Sequence, residues 1–312
     1  MALREPGDRA APVAAFPVRL ETFDVVGSTN DTVMGWLRDG TPEVCVAIAR
    51  EQTSGRGRLG RTWVAPADAA LLASIGFRPS WIAPDRAWRL AAVVALAMAD
   101  AAEDVAGLAE GTIRLKWPND LVVAFGASGR PFGAGAVVGP ETPIQVRKLA
   151  GLLGETDGLG TADPRAVVGI GINADWSRDA FPPDLREDMT SLSEASGGRS
   201  IDRDDLLDAF LGRLESRVEA LRGGHFDVSG WSGRQLTNGR HVRLEHPGGT
   251  AEVVRAIAVD ALSGALIVDD EREVLVGEIT HLRLAKSTAG AGAAETIAEA
   301  AADSQRHIGS GV

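Results

Sequence analysis

Hydrophobic and polar positions change their period several times along the chain, and each change predicts an element. Residues 17–26, PVRLETFDVV, read as a strand. The next stretch, GSTNDTVMGWLRDG, reads as a short helix opened by a cap at Ser28 or Thr29 and closed by Gly40. Val44 to Arg50 and Leu71 to Phe77 are apolar runs of strand length, separated by a glycine- and arginine-rich segment. From Asp85 to Val105 an acidic start precedes residues that are apolar all round, the pattern of a core helix. The strand pattern TIRLKWPNDLVV, residues 112–123, runs into Pro118. Its missing amide interrupts a ladder and displays Asn119 and Asp120 at a turn.

Residues 124–146 are rich in Gly and Pro and read as a long connection, with a hairpin conceivable within it. RKLAGLLGE then predicts a strand beginning at Lys148, and AVVGIGINAD, residues 166–175, predicts a second buried strand that Asn173 ends. Gly169 and Gly171 let something approach that strand's backbone closely. Residues 176–200 look like loop, and residues 202–224 form an amphipathic helix whose work is packing. After Leu236 the short runs RHVRLE, AEVVRAIAVD, SGALIVDD, EVLVGEI and HLRLA alternate with turn residues, which predicts an all-β barrel of about 50 residues. Residues 1–15 lack periodicity and are expected to be disordered, as is the Ala/Gly-rich, low-complexity tail at 287–312.

Composition narrows the class. A chain of 312 residues, 45% of them hydrophobic, has room for one large core and a small second domain. No run of apolar residues is long enough to span a bilayer, and Met1 to Pro17 has no apolar centre of the signal-peptide kind, which places the protein in the cytoplasm, away from membranes. Cys45 is the only cysteine; it excludes an intrachain disulfide and, lying within EVCVAIA, is expected to be a buried structural thiol. A net charge of −11 opposes non-specific binding to nucleic acid. Only three of the 32 basic residues are lysine: Lys116, Lys148 and Lys286. In a chain that uses arginine for its charge, a lysine marks a place where a compact ammonium is suited.

The segment REQTSGRGRLGRTW, residues 50–63, sets Arg56, Arg58 and Arg61 among Gly55, Gly57 and Gly60. Glycines let the backbone bend around a ligand while guanidinium groups converge on it, as a site for an anionic substrate requires. A solvated basic loop has the same composition. Ser28, Thr29 and Asn30 are suited to capping a helix, and a helix start also presents amides to a polar ligand. No G-x-x-x-x-G-K-[ST] loop occurs, which argues against a conventional ATPase or kinase.

The motifs GSTN, EQTSGRGRLGRTW, LKWPNDL, KLAGLLGE and GIGIN, in this order over roughly residues 20–284, resemble those of the biotin protein ligases, the biotin–[acetyl-CoA-carboxylase] ligases. The resemblance implies an α+β catalytic domain over residues 16–234, with a central mixed sheet flanked by helices as in class II aminoacyl-tRNA synthetases and lipoate ligases. It implies a small SH3-like C-terminal domain over residues 235–286. The implied reaction joins biotin and ATP, with Mg²⁺, into biotinyl-5′-AMP, and then passes biotin to a lysine of a biotin carboxyl carrier domain. By resemblance Arg58, Lys148 and Asp120 are the catalytic residues. Ser28, Thr29, Asn30, Gln52, Gly55, Arg56, Gly57, Arg58, Lys148, Gly151 and Leu153 would meet biotin. Arg61, Trp63, Lys116, Asn119 and Asn173, again with Arg58 and Lys148, would meet the nucleotide, and Asn119 would face phosphate or Mg²⁺. No helix-turn-helix pattern precedes Phe16, so the expectation is a monofunctional ligase that does not bind DNA. A lipoate or octanoate ligase on the same fold and a non-catalytic biotin- or nucleotide-binding regulator stay open, as does the choice between monomer and weak dimer.

Overall fold

Seven strands make the central sheet in the order β1-β2-β3-β7-β6-β5-β4. They are β1 (Arg19–Val26), β2 (Cys45–Gln52), β3 (Ala70–Phe77), β4 (Ile113–Lys116), β5 (Asp120–Phe125), β6 (Gln145–Asp157) and β7 (Arg165–Asn173). The sheet is mixed: β1 and β2 run parallel and every other neighbouring pair antiparallel. The computed structural model describes residues 16–132, 138–275 and 278–281. The expectations for residues 1–15, for the chain beyond His281 and for the tail lie outside those residues.

Period 2 decides which helix each face receives. Cys45 and Ala47 on β2 and Val167 on β7 pack with Val33, Trp36 and Leu37 of helix α1 (Thr29–Arg38). Val44, Val46 and Ile48 point the other way, into the large core with α2 (Trp88–Ala106). This second helix is buried on most sides because it lies between the sheet and α4 (Arg203–Arg222), whose Leu206, Phe210, Leu214, Val218 and Leu221 recur at helical spacing. Asp202 caps α4 by accepting hydrogen bonds from the amides of Asp204 and Asp205.

Two short helices were not expected. The segment read as loop contains α3 (Leu192–Ala195), capped by Ser191, and α5 (Val228–Gly233) follows α4. One or two turns are too few to establish a hydrophobic period. The 124–146 connection does join an antiparallel pair, β5 and β6. Its Phe132, Val138, Ile144 and Val146 build a small core with Val122, Ala124 and Leu236.

Strand β6 carries a bulge that sets the site. Asp120 pairs with Gly151 and Leu121 with Ala150, whereas Val122 pairs with Lys148, so Leu149 is the extra residue. Side-chain parity reverses there. Lys148 joins Gly151 and Leu153 on one face, while Leu149, Ala150 and Leu152 enter the core beside α2.

The C-terminal strands β8 (His241–Glu245), β9 (Ala251–Val259), β10 (Leu266–Val268), β11 (Glu273–Val274) and β12 (Glu278–His281) form an antiparallel sheet in the order β11-β10-β9-β8-β12. EVLVGEI, read as one strand, contributes to two of them, β11 and β12. This sheet is fastened to the main body by the indoles of Trp88 and Trp117, which donate to the carbonyls of Leu262 (3.3 Å) and Gly264 (3.1 Å). Leading into it, residues 234–236 run along β4, with Leu115 N donating to Arg234 O and Leu236 N to Leu115 O, both at 2.8 Å. Buried Arg234 is bound by Glu103 (2.8 Å) and Asp100 (2.7 Å) of α2 and by the carbonyl of Ile113 (2.8 Å).

Removing one member of a buried, hydrogen-bonded ion cluster strands the others. Arg234→Ala is therefore expected to cost roughly 3–5 kcal/mol of unfolding free energy, read from urea denaturation. Burial also pushes the Cys45 thiol up to about 11. Because the folded value is raised, the associated stability is complete below the unfolded thiol's value of about 8.5 and is lost as pH rises toward the folded one. At pH 8 a thiol reagent should leave the native protein unmodified and label one thiol after unfolding.

Candidate active site

A cavity of about 780 Å³ opens on the α1 face of the sheet, past the N-terminus of that helix. Its floor is made of glycines, Gly151 on β6 and Gly169 and Gly171 on β7. A Cβ on Gly171 would sit 2.6 Å from the Trp63 indole and one on Gly151 3.2 Å from it, so these strands carry glycine because an aromatic ring lies on their backbone. At one end the residues around the start of α1 form a buried polar cluster. Ser74 Oγ donates to Asn30 Oδ1 (2.6 Å) and lies in hydrogen-bond contact with the Thr29 hydroxyl (2.7 Å). Gln52 Oε1 accepts from Thr29 N (2.9 Å) and Thr29 Oγ1 (3.1 Å), and Asn30 Nδ2 donates to Glu155 Oε2 (2.6 Å).

The other end is charged. Lys148 Nζ lies 2.7 Å from Asp120 Oδ1 and Lys116 Nζ lies 3.6 Å from Asp120 Oδ2. The turn at Pro118 makes this arrangement, because it pairs Lys116 with Asp120 across β4 and β5. Asn119 is fixed by a hydrogen bond from Nδ2 to Leu152 O (2.6 Å). Lys148 Nζ is also 5.6 Å from the centre of the Trp63 ring, within cation–π range.

The Arg/Gly segment folds as a narrow hairpin that supplies the roof. Trp63 N donates to Gly55 O (2.9 Å) and Gly57 N to Arg61 O (2.7 Å), and the chain reverses through positive φ at Leu59 (55°) and Gly60 (75°). Arg58 and Arg61 line the cavity. Arg56 also reaches it, but its guanidinium is bound by Asp31 and Glu155. The hydrogen bond from Arg56, together with its charge, holds the Asp31 carboxyl below the usual carboxylate range, although burial opposes the shift.

Most of the expected residues converge. Ser28, Thr29, Asn30, Gln52, Arg56, Gly57, Arg58, Arg61, Trp63, Lys116, Asn119, Asp120, Lys148, Gly151 and Leu153 all line the one cavity. Two do not. Gly55 packs beneath the hairpin, where an added Cβ would meet the Trp63 carbonyl at 2.5 Å. Asn173 is fully buried, and its Nδ2 donates to Thr190 O (2.9 Å), so it holds a wall segment instead of facing the space. That segment, with Pro182, Leu185 and Met189 in the lining, is the part sequence reasoning missed. Its backbone clasps Lys148: Lys148 N donates to Asp188 O (2.7 Å) and Thr190 N to Lys148 O (2.9 Å). No local pattern signals a bridge between residues forty positions apart.

Residues 22–173 match the Biotin/lipoate A/B protein ligase family. The chain is 32% identical over 271 residues to a biotin–[acetyl-CoA-carboxylase] ligase of Mycobacterium tuberculosis, covering 85% of this chain and 90% of that protein. It is 27% identical over 222 residues to the bifunctional ligase/repressor BirA of Bacillus subtilis, covering 69% of this chain and 60% of BirA. Among solved structures, a biotin protein ligase from Aquifex aeolicus in complex with biotin and ATP superposes with a TM-score of 0.64 at 24% identity, over 85% of this chain and 99% of that one, a likeness of fold.

The floor itself is testable. Gly171→Ala should displace the Trp63 indole and change the protein's tryptophan emission, while lowering the melting temperature by only a few degrees, about the effect of ~1 kcal/mol. An unaltered emission spectrum would contradict the packing.

Proposed function

The chain belongs to the Biotin/lipoate A/B protein ligase family, and from that premise we propose that it activates biotin with ATP as biotinyl-5′-AMP and transfers biotin to a lysine of a biotin carboxyl carrier domain. The observation that carries this reading is one cavity with two dissimilar ends. Hydroxyl and amide groups at Ser28, Thr29, Asn30 and Gln52 suit the neutral polar ureido ring, and the ammoniums of Lys116 and Lys148 suit phosphate oxygens. Between them the Trp63 indole lies on the glycine floor and offers a flat apolar surface.

In the first step a carboxylate oxygen of biotin bonds to the α-phosphorus of ATP, and the bond to pyrophosphate breaks. Two anions must meet, so fixed positive charge at the point of contact lowers the barrier. Lys148 is placed to bridge acyl and phosphoryl oxygens, Arg58 to screen them from the roof, and Lys116 and Arg61 to meet the nucleotide phosphates. Trp63 would border the nucleotide. In the second step the lysine nitrogen attacks the acyl carbon, AMP leaves, and the nitrogen gives up a proton. Asp120 is the carboxylate positioned to receive the incoming ammonium. Water is kept out by the hairpin.

Mg²⁺ needs few protein oxygens when nucleotide phosphates supply the rest. A divalent ion arriving with ATP would neutralise phosphate charge there. Asp120 and the Asn119 carbonyl oxygen are the donors this chain would offer. We read residues 16–234 as the catalytic domain and the β8–β12 sheet, within residues 235–286, as an SH3-like domain. We place the enzyme in the cytoplasm with its carrier protein.

Incubation with ATP, Mg²⁺, labelled biotin and a carrier domain should label the carrier. Lys148→Ala and Arg58→Ala should each lower adenylate formation by about 10²–10³-fold, the loss typical of one preorganised charge contact, with folding retained. Preferential use of lipoate or octanoate, or full activity of both variants, would overturn the assignment.

A further inference from the structure

Arg56 of the hairpin is paired with two carboxylates at once. Its Nη1 and Nη2 donate to Asp31 Oδ2 and Oδ1 at 2.7 Å each, and Nη2 lies 3.1 Å from both Glu155 oxygens. The two acids come from different elements: Asp31 from the first turn of α1 and Glu155 from β6. Glu155 also accepts from Asn30, so the hairpin is wired to the polar cluster through one carboxylate. One guanidinium facing two carboxylates is a net negative group. It repels a third carboxylate instead of capturing it.

The geometry points to Arg56 as a tether, and we propose that Asp31 and Glu155 are positioning residues that hold the Arg/Gly hairpin closed over the cavity so that the acyl-adenylate is retained until an amine arrives. The retention half of this proposal rests on the ligase reading above. The tether itself rests on geometry alone. Two of the side chains that anchor this three-glycine hairpin are Trp63 on the floor and Arg56 at the side. The fork is bidentate toward Asp31, which gives it direction as well as charge. It is also partly exposed, with side-chain exposures of 38% for Arg56, 65% for Asp31 and 35% for Glu155. Solvent screening keeps such a contact weak, which suits a roof that must open for substrates and products. Asp31 thus anchors the loop while also standing as the acid in the first turn of α1, where it complements the helix dipole.

The test compares the full-length protein with Asp31→Asn, Asp31→Glu and the double variant Asp31→Asn/Glu155→Gln. Brief trypsin digestion of the ligand-free protein, mapped by mass spectrometry, reads how often the hairpin opens at Arg58 and Arg61. Asp31→Asn should raise cleavage there about three- to tenfold, as loss of one half-exposed bidentate pair implies. The double variant should raise it further, and Asp31→Glu should restore it toward the parent. Cleavage elsewhere and the melting temperature should hold. In a chase with unlabelled biotin and no carrier, escape of adenylate should rise in the same order. Equal cleavage in all four proteins overturns the tether; raised cleavage with unchanged adenylate escape overturns its role in retention. If the parent forms no adenylate, the ligase reading and the retention role fall, and digestion still decides the tether.

Discussion

The bulge at Leu149 is the constraint on which the site depends. A regular strand through KLAGLLGE would keep Lys148 on the core side with Ala150 and Leu152, where an ammonium would be buried without water. One extra residue reverses the parity, and Lys148 emerges beside Gly151 on the cavity face. The flanking registers then finish the arrangement without long side-chain excursions, since Asp120 pairs with Gly151 on one side and with Lys116 on the other. Leu149 is the anchor of this geometry: it is fully buried in the α2 core. The backbone of Lys148 is clasped in addition by the 188–190 segment, so hydrogen bonds fix the residue on two sides.

Charge is divided between the two basic residue types in a physically consistent way. Arginines fasten elements to one another: Arg50 to Asp68 and Arg234 to Glu103 through bidentate forks, Arg147 to Glu194 and Arg217 to Asp100 through ion pairs. A planar donor that bonds bidentately suits that work. Both described lysines stand at Asp120 instead. A compact ammonium can shift from a resident carboxylate to an incoming anion by rotating a flexible stem, while a bound guanidinium would have to break a fork. The chain's net acidity therefore does not conflict with a cationic site, because most of its arginine charge is neutralised where it sits.

Period 2 and period 3.6 made the long elements legible, since each buries a continuous apolar face. The glycine floor was legible too: Gly169 and Gly171 in a strand called for a close approach, which the Asn30 side chain makes at Gly169 and the Trp63 indole at Gly171. What sequence could not carry were contacts with no local signature. KLAGLLGE reads as an unbroken strand, so the parity change at Leu149 was invisible. Asn173 was expected at the nucleotide by resemblance, but the wall segment it supports draws its amide inward to Thr190. Arg56 was expected, by resemblance, to help fix the loop over biotin. Its partners Asp31 and Glu155 lie 25 and 99 positions away, and only the fold brings them to it.

Rigidity and looseness are distributed along the same lines. Groups that must be placed accurately, Lys148 and Asp120, stand on paired strands backed by side chains that exclude water, and shifting them would disturb the core. The roof is built from the opposite materials: glycine, a backbone reversal through positive φ, and ion pairs half open to solvent. Screening makes those pairs weak, and weakness is compatible with a cover that must exchange substrates. The two parts meet at Trp63, whose backbone belongs to the hairpin and whose ring lies on the rigid glycine floor. One side chain thus joins the loose roof to the rigid floor, its backbone paired with Gly55 at the base of the hairpin and its ring packed on Gly171.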